Sequence, residues 1–216
     1  MARLIESIFL EGPVGRLEAL HEGPDETVRV ERAVVVCHPH PLHGGTMHNK
    51  VVYRLAKGAR RARSAVLRFN FRGVGQSEGA YDEGAGEQDD LRAAVDYLAG
   101  RYPGLPRVAA GFSFGSRVAL GVSCGDTRVE RCLAVGTPVD QGDWAFLAHG
   151  GCPKFFLHST NDEHGSRQTM EQVFALASSP KTLTWIEATD HLFNDGLDQL
   201  EAAASQAIAA DIPPVV

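Results

Sequence analysis

Six short apolar bursts punctuate the chain, at residues 33–37, 64–71, 107–112, 132–136, 154–158 and 182–187. Several are continuous, as Ala33-Val34-Val35-Val36-Cys37 shows, with no polar residue to mark a wet face. A strand of that kind needs cover on both sides. The segments between them, 49–61, 87–101, 114–123, 166–177 and 196–210, read as helices. Such alternation predicts an α/β fold, a mostly parallel central sheet with helices on both faces. The first thirty residues differ. They read as an antiparallel hairpin, 5–10 and 16–20, around a turn at Gly12-Pro13. No repeat, low-complexity segment or linker divides the 216 residues, so 1–216 is expected to form a single domain.

Composition narrows the partners. Net charge is 21 − 27 = −6, without a run of five like charges. Nucleic-acid binding is not expected, because it needs a basic footprint. The only basic cluster, Arg60, Arg61 and Arg63, reads as the solvated end of a helix. No apolar stretch reaches ~18 residues, so no membrane span is expected. Residues 1–12 carry Glu6 and Glu11 within a short apolar run and lack the pattern of a signal peptide. Cys37, Cys124, Cys132 and Cys152 form no C-x-x-C pair and read as reduced, mostly buried thiols of a cytoplasmic protein.

In parallel sheets chemistry sits at the carboxyl ends of strands. The strand at 107–112 runs into Gly111-Phe112-Ser113-Phe114-Gly115 and then a helix. This G-x-S-x-G turn raises a serine above the sheet edge, and its glycines let strand and helix approach closely. The helix amino terminus favours developing negative charge. The bland alternative is a serine capping an ordinary helix. A serine hydroxyl is a weak nucleophile until a base takes its proton. The expected chain order is Ser, acid, His. Strand ends supply both partners, Asp162 after 154–158 and His191 after 182–187. Among rivals, His158 reads as a packed core histidine and His164 as a solvated loop residue, while His21 and His149 are poorer bases. Asp140 is the alternative acid, Glu163 is a neighbour pointing elsewhere, and Asp190 reads as a loop-shaping carboxylate.

A tetrahedral intermediate needs two preorganised N–H donors. Phe114, after the serine, offers one. The other should come from the loop Cys37-His38-Pro39-His40-Pro41-Leu42-His43-Gly44-Gly45. Proline has no N–H, which leaves the amide of His40, with Leu42 second. His38, His40 and His43 also raise a second reading, a metal-dependent hydrolase. The Asp expected before the third histidine of a zinc signature is Leu42 here, so no metal is assigned.

Together, His38-Pro39-His40-Pro41 with Gly44-Gly45-Thr46-Met47, residues 69–79, the serine turn, Asn161-Asp162-Glu163 and Asp190-His191-Leu192-Phe193 resemble the α/β-hydrolase superfamily. Within it the chain is similar to small lidless bacterial hydrolases of dienelactone-hydrolase type that carry a histidine-proline loop. The resemblance spans roughly residues 30 to 195 and implies the α/β-hydrolase fold, with Ser113 as nucleophile, His191 as base and Asp162 as acid. It supports oxyanion donors from the 40 region and Phe114, and names no substrate. Many superfamily members have glycine where Pro39 follows His38, which leaves the identity of the first donor open.

The expected reaction is hydrolysis of a small acyl compound (ester, lactone or thioester) through an acyl-enzyme, without a cofactor and with activity falling at acid pH. Only 17 residues, 137–153, separate two strands where a cap domain would be inserted, so an open site is expected. Leu42, Trp144 and Phe146 are candidate substrate contacts. Trp144, Phe146 and Leu147 can equally cover the core or a dimer contact, and the chain is expected to be a monomer or homodimer. The glycine-rich run at 72–79 reads as a mobile scaffold loop tied down by Arg72, and Tyr81 and Glu87 either reach the site or start the next helix. A catalytically silent binding or scaffold protein of the same fold is the other reading.

Overall fold

The structure, a computed structural model, describes residues 5–23 and 28–210. Residues 1–4, part of the stretch read as lacking a signal peptide, lie outside the described residues. The chain runs β1 (Ile5–Gly12), β2 (Gly15–Glu22), β3 (Arg32–Cys37), α1 (Lys50–Arg61), β4 (Ser64–Phe69), α2 (Ala85–Arg101), β5 (Arg107–Phe112), α3 (Phe114–Gly125), β6 (Arg131–Val135), β7 (Lys154–Ser159), α4 (Arg167–Leu176), β8 (Lys181–Ile186) and α5 (Leu197–Ala209). The strands form one eight-stranded sheet in the order β1-β2-β4-β3-β5-β6-β7-β8. β1 pairs antiparallel with β2, and β2 with β4. The remaining pairs are parallel.

β3 shows why its sequence is apolar throughout. Val34 and Val36 pack on one face with Val51, Val52 and Leu55 of α1 and with Leu200 and Ala204 of α5. Val35 and Cys37 pack on the other with Leu91 and Leu98 of α2 and with Val118 and Leu120 of α3. Alternate side chains of a strand point to opposite faces, so a doubly covered strand has no wet positions.

Helix ends follow local chemistry. The Asn49 side chain accepts from Val51 N–H at 2.8 Å and starts α1. Glu87 sits at the third position of α2, not at its start, and reaches back to the amides of Asp82 and Gly84. β4 ends at Phe69, two residues earlier than the apolar run suggests, because Phe71 N–H is taken by the ring of His38 at 3.0 Å. The Arg60-Arg61-Arg63 cluster is more than a solvated helix end. Arg60 bonds the buried carboxylate of Glu22, Arg61 bonds Glu201 at 3.0 Å, and Arg63 bonds Glu31 at 2.8 Å.

The loop after β4 is pinned. Arg72 forks onto the buried Asp90 of α2, with Nη2 2.7 Å from Oδ1, and its backbone N–H donates to Oδ2 at 2.9 Å. Ser77 Oγ accepts from Glu18 N–H of β2 at 2.9 Å, and Glu78 N–H donates to Arg16 O at 2.8 Å. Between β6 and β7 lies only a short loop with a single 3₁₀ turn at Ala145–Ala148. No helix among the described residues is long and apolar enough to cross a membrane.

Candidate active site

Ser113 occupies the turn between β5 and α3 with φ 55° and ψ −122°. Side chains avoid this region, so the backbone here is strained. The turn survives because its surroundings over-determine it. Ser113 N–H donates to Val135 O of β6 at 2.9 Å, and Ser113 O accepts from Ser116 N–H at 2.9 Å and its hydroxyl at 2.6 Å. A Cβ at Gly115 would lie 2.5 Å from His38 O and 2.6 Å from Cys37 O, and one at Gly111 would collide with the Gly115 carbonyl. Both glycines of the motif are therefore required by close packing of strand, turn and helix. The Ser113 side chain makes no hydrogen bond among the described residues.

His191 is buried beside this turn, its ring 4.9 Å from that of Phe112. Its Nδ1 lies 2.9 and 2.8 Å from the two carboxylate oxygens of Asp162. A carboxylate accepts, so Nδ1 carries the proton and Nε2 keeps its lone pair. That Nε2 is the one buried side-chain nitrogen or oxygen among the described residues without a hydrogen-bond partner. Buried polar atoms are rarely left unpaired, and a reactive group is a recognised reason.

Neighbours hold this pair in place. Glu163 accepts from the His191 backbone N–H at 2.8 Å. Asp162 also accepts from His164 N–H at 2.8 Å. His158 is buried, donates to Gly165 O at 2.7 Å, and lies 3.7 Å from Asp162, a packed core residue that also faces the carboxylate. The rival carboxylates are occupied elsewhere. Asp140 accepts from the Ser166 amide at 2.9 Å at the start of α4, and Asp190 accepts from Asn194 N–H at 3.0 Å, shaping its own loop.

The histidine-proline loop separates its histidines. His38 is fully buried and uses both ring nitrogens, Nδ1 on Pro39 O at 2.6 Å and Nε2 accepting from Phe71 N–H. It cannot join a metal-ligand set with His40 and His43, whose rings stack 4.4 Å apart. Leu42 N–H is spent on His40 Nδ1 at 3.2 Å, whereas the amides of His40 and Phe114 have no partner among the described residues. Burial lowers the pKa of His38 to about 4, opposed in part by its bond to Pro39. Its folded value lies below the ordinary 6.5, so the unfolded chain binds the proton first as pH falls. This histidine's contribution is present above pH 6.5 and is lost toward pH 4, up to about 3 kcal/mol. Urea unfolding between pH 7 and 4.5 should show this loss, and His38→Gln should flatten it. An equally steep loss in the variant would refute the assignment.

Beside Ser113 opens a cavity of about 370 Å³, walled by His40, His43, Tyr81, Phe114, Arg117 and His164. Glu83, Pro138, Gln141 and Gly142 complete it. Tyr81 therefore reaches the site, and Glu87 stays in the helix cap. Three expected contacts need correction. The Leu42 side chain is 68% exposed and does not line this cavity. Trp144 is buried in the core, its indole N–H on Val139 O at 3.2 Å and the Arg117 guanidinium over its ring at 4.7 Å. Phe146 lines a separate depression with Gln88, Gly121 and His149. The turn at Gly142, with φ 81°, packs the loop against Arg117 and sends the tryptophan inward.

His164, read as a loop residue, is solvent-exposed yet lines the cavity and sets its ring edge-on to His191 at 4.7 Å. Arg117 is a residue the sequence reading misses, although its place one helical turn after Ser113 is a signal that would put it on the same face of α3. The roles of Glu163 and His164 left no sequence signal beyond adjacency to Asp162.

Residues 29–142 match the family described as serine aminopeptidase, S33. An uncharacterised protein of Rickettsia prowazekii is 33% identical over 208 residues, covering 91% of this chain and 85% of that protein. An α/β serine hydrolase without a lid from Xanthomonas campestris superposes with a TM-score of 0.85 at 31% identity, covering 96% of this chain and 95% of the other. An α-β serine hydrolase homologue from Coxiella burnetii gives a TM-score of 0.87 at 34% identity, with 93% and 96% covered.

Proposed function

The chain belongs to the serine aminopeptidase S33 family of the α/β-hydrolase superfamily, and we propose that it hydrolyses a small ester, lactone or thioester through an acyl-enzyme on Ser113. Serine hydrolase chemistry comes with the family; the substrate class and the residue roles are the proposal. The observation that carries it is His191, with Nδ1 bound to the Asp162 carboxylate and a buried Nε2 left free to accept a proton. Ser113 attacks the acyl carbonyl as His191 Nε2 takes its proton, while Asp162 steadies the imidazolium. The free amides of His40 and Phe114 hold the oxyanion. His191 then protonates the leaving group, and water repeats the cycle to release the acid. The Ser113–His191 bond is not made in this structure, as is common before substrate binds. The short loop at 137–153 leaves the cavity open and supports small acyl groups.

A second reading has one observation behind it. Glu83 lines the cavity and has no ion-pair partner among the described residues, so its carboxylate is available to an amino terminus, as a peptide substrate would require. A fluorophosphonate should label the folded protein at one site, and peptide mapping should place the label on Ser113. Absence of label would favour a catalytically silent protein of this fold. Comparing p-nitrophenyl esters and thioesters with aminoacyl anilides separates the two substrate readings.

A further inference from the structure

The cavity beside Ser113 contains a hydrogen-bond chain whose direction is determined by its atoms. Leu42 N–H donates to His40 Nδ1. That nitrogen therefore bears the lone pair, and in the neutral imidazole the proton sits on Nε2. Nε2 lies 3.2 Å from Tyr81 Oη, so the imidazole donates and the phenolic oxygen accepts. The phenolic proton is left over, and Tyr81 Oη has no other partner among the described residues. Both groups are held in the forms this requires. Burial, then His43, lowers the pKa of His40, and burial, then Glu87 and Glu83, raises that of Tyr81.

The ring of this spare donor packs against the side chains of the two residues whose amides are free. His40 lies 5.1 Å from Phe114, and Tyr81 lies 5.0 Å from His40 and 5.8 Å from Phe114. All three line the cavity that Ser113 opens into. We propose that the Tyr81 hydroxyl is a third hydrogen-bond donor to the oxyanion formed when Ser113 attacks the acyl carbonyl. The inference rests on the reading of Ser113 as the nucleophile. Tyr81 keeps its proton throughout, giving a hydrogen bond that strengthens as the carbonyl oxygen gains charge. The His40 side chain acts as a positioning group, because its Nε2–H prevents the phenol from turning its own proton toward the loop.

Tyr81→Phe keeps the ring contacts and removes only the hydroxyl. With p-nitrophenyl acetate the full-length variant should lose about 100-fold in kcat, with KM within about threefold of the parent. Inhibition by phenylboronic acid, whose serine adduct is tetrahedral and anionic, should weaken by a similar factor, which loss of a merely structural contact would not produce. The thermal midpoint and the stoichiometry of fluorophosphonate labelling should stay at parent values. A fall in kcat of less than about tenfold overturns the proposal, whatever KM does. Failure of the parent protein itself to label or turn over would instead overturn the reading of Ser113, and the proposal with it.

Discussion

Ser113→Gly is expected to lose about a millionfold in acyl turnover and yet melt at a higher temperature than the parent protein. The loss follows from removing the nucleophile. The gain follows from the backbone. Ser113 holds φ 55° and ψ −122°, a region glycine enters freely and other residues enter at a cost of about 1–3 kcal/mol. Its hydroxyl makes no hydrogen bond among the described residues, so truncation forfeits none of these. Glycine's extra freedom in the unfolded chain cancels about 1 kcal/mol of that relief. A net gain of about 1 kcal/mol remains, worth roughly 2–4 °C in a chain of this size. Ser113→Ala is the control. It should lose turnover equally but keep the Cβ and the strain, and melt with the parent. Calorimetry of the two variants beside p-nitrophenyl acetate assays checks both halves. Retained turnover in either would remove Ser113 as nucleophile, and a lower melting point for glycine than for alanine would refute the strain account.

Asp162→Asn should lower kcat about 10⁴-fold with little change in fold. The carboxylate places both oxygens within 2.9 Å of His191 Nδ1, which keeps the proton there and the lone pair on Nε2. An amide presents N–H₂ as well as C=O, so the opposite tautomer becomes as good and the base is lost. Asp140→Asn should leave kcat near that of the parent. Its carboxylate serves Ser166, at 2.9 Å from the amide and 3.2 Å from the hydroxyl, and bonds from Thr169 and Ser166 hold it below the usual carboxylate range. That substitution should cost stability only, about 1 kcal/mol. The reverse pattern of rates would move the acid to Asp140.

The readings that held and those that failed divide along one physical line. Continuous apolar bursts and the segments between them place strands and helices to within a residue or two, because a strand covered on both faces must be apolar throughout whatever its neighbours are. Leu42, Trp144 and Phe146 are apolar residues of loops between strands. Apolar character says only that a side chain gains by leaving water, and Trp144 leaves it by joining the core under Arg117, not by walling a cavity. His164 went the other way, an unremarkable loop histidine in the sequence that the turn after β7 sets against His191.

From the sequence alone come the α/β alternation, the serine turn between strand and helix, and the order in which a serine, an acid and a histidine follow the ends of three of the strands. These depend on local spacing, which a linear chain carries in full. Only the tertiary structure decides that His38 gives its ring to Phe71, that His40 orients Tyr81 across 41 residues, and that Gly142 seats Arg117 over Trp144. Each is a hydrogen bond or contact between segments far apart in the chain, so its partner is set by how the loops pack and not by what lies next in sequence.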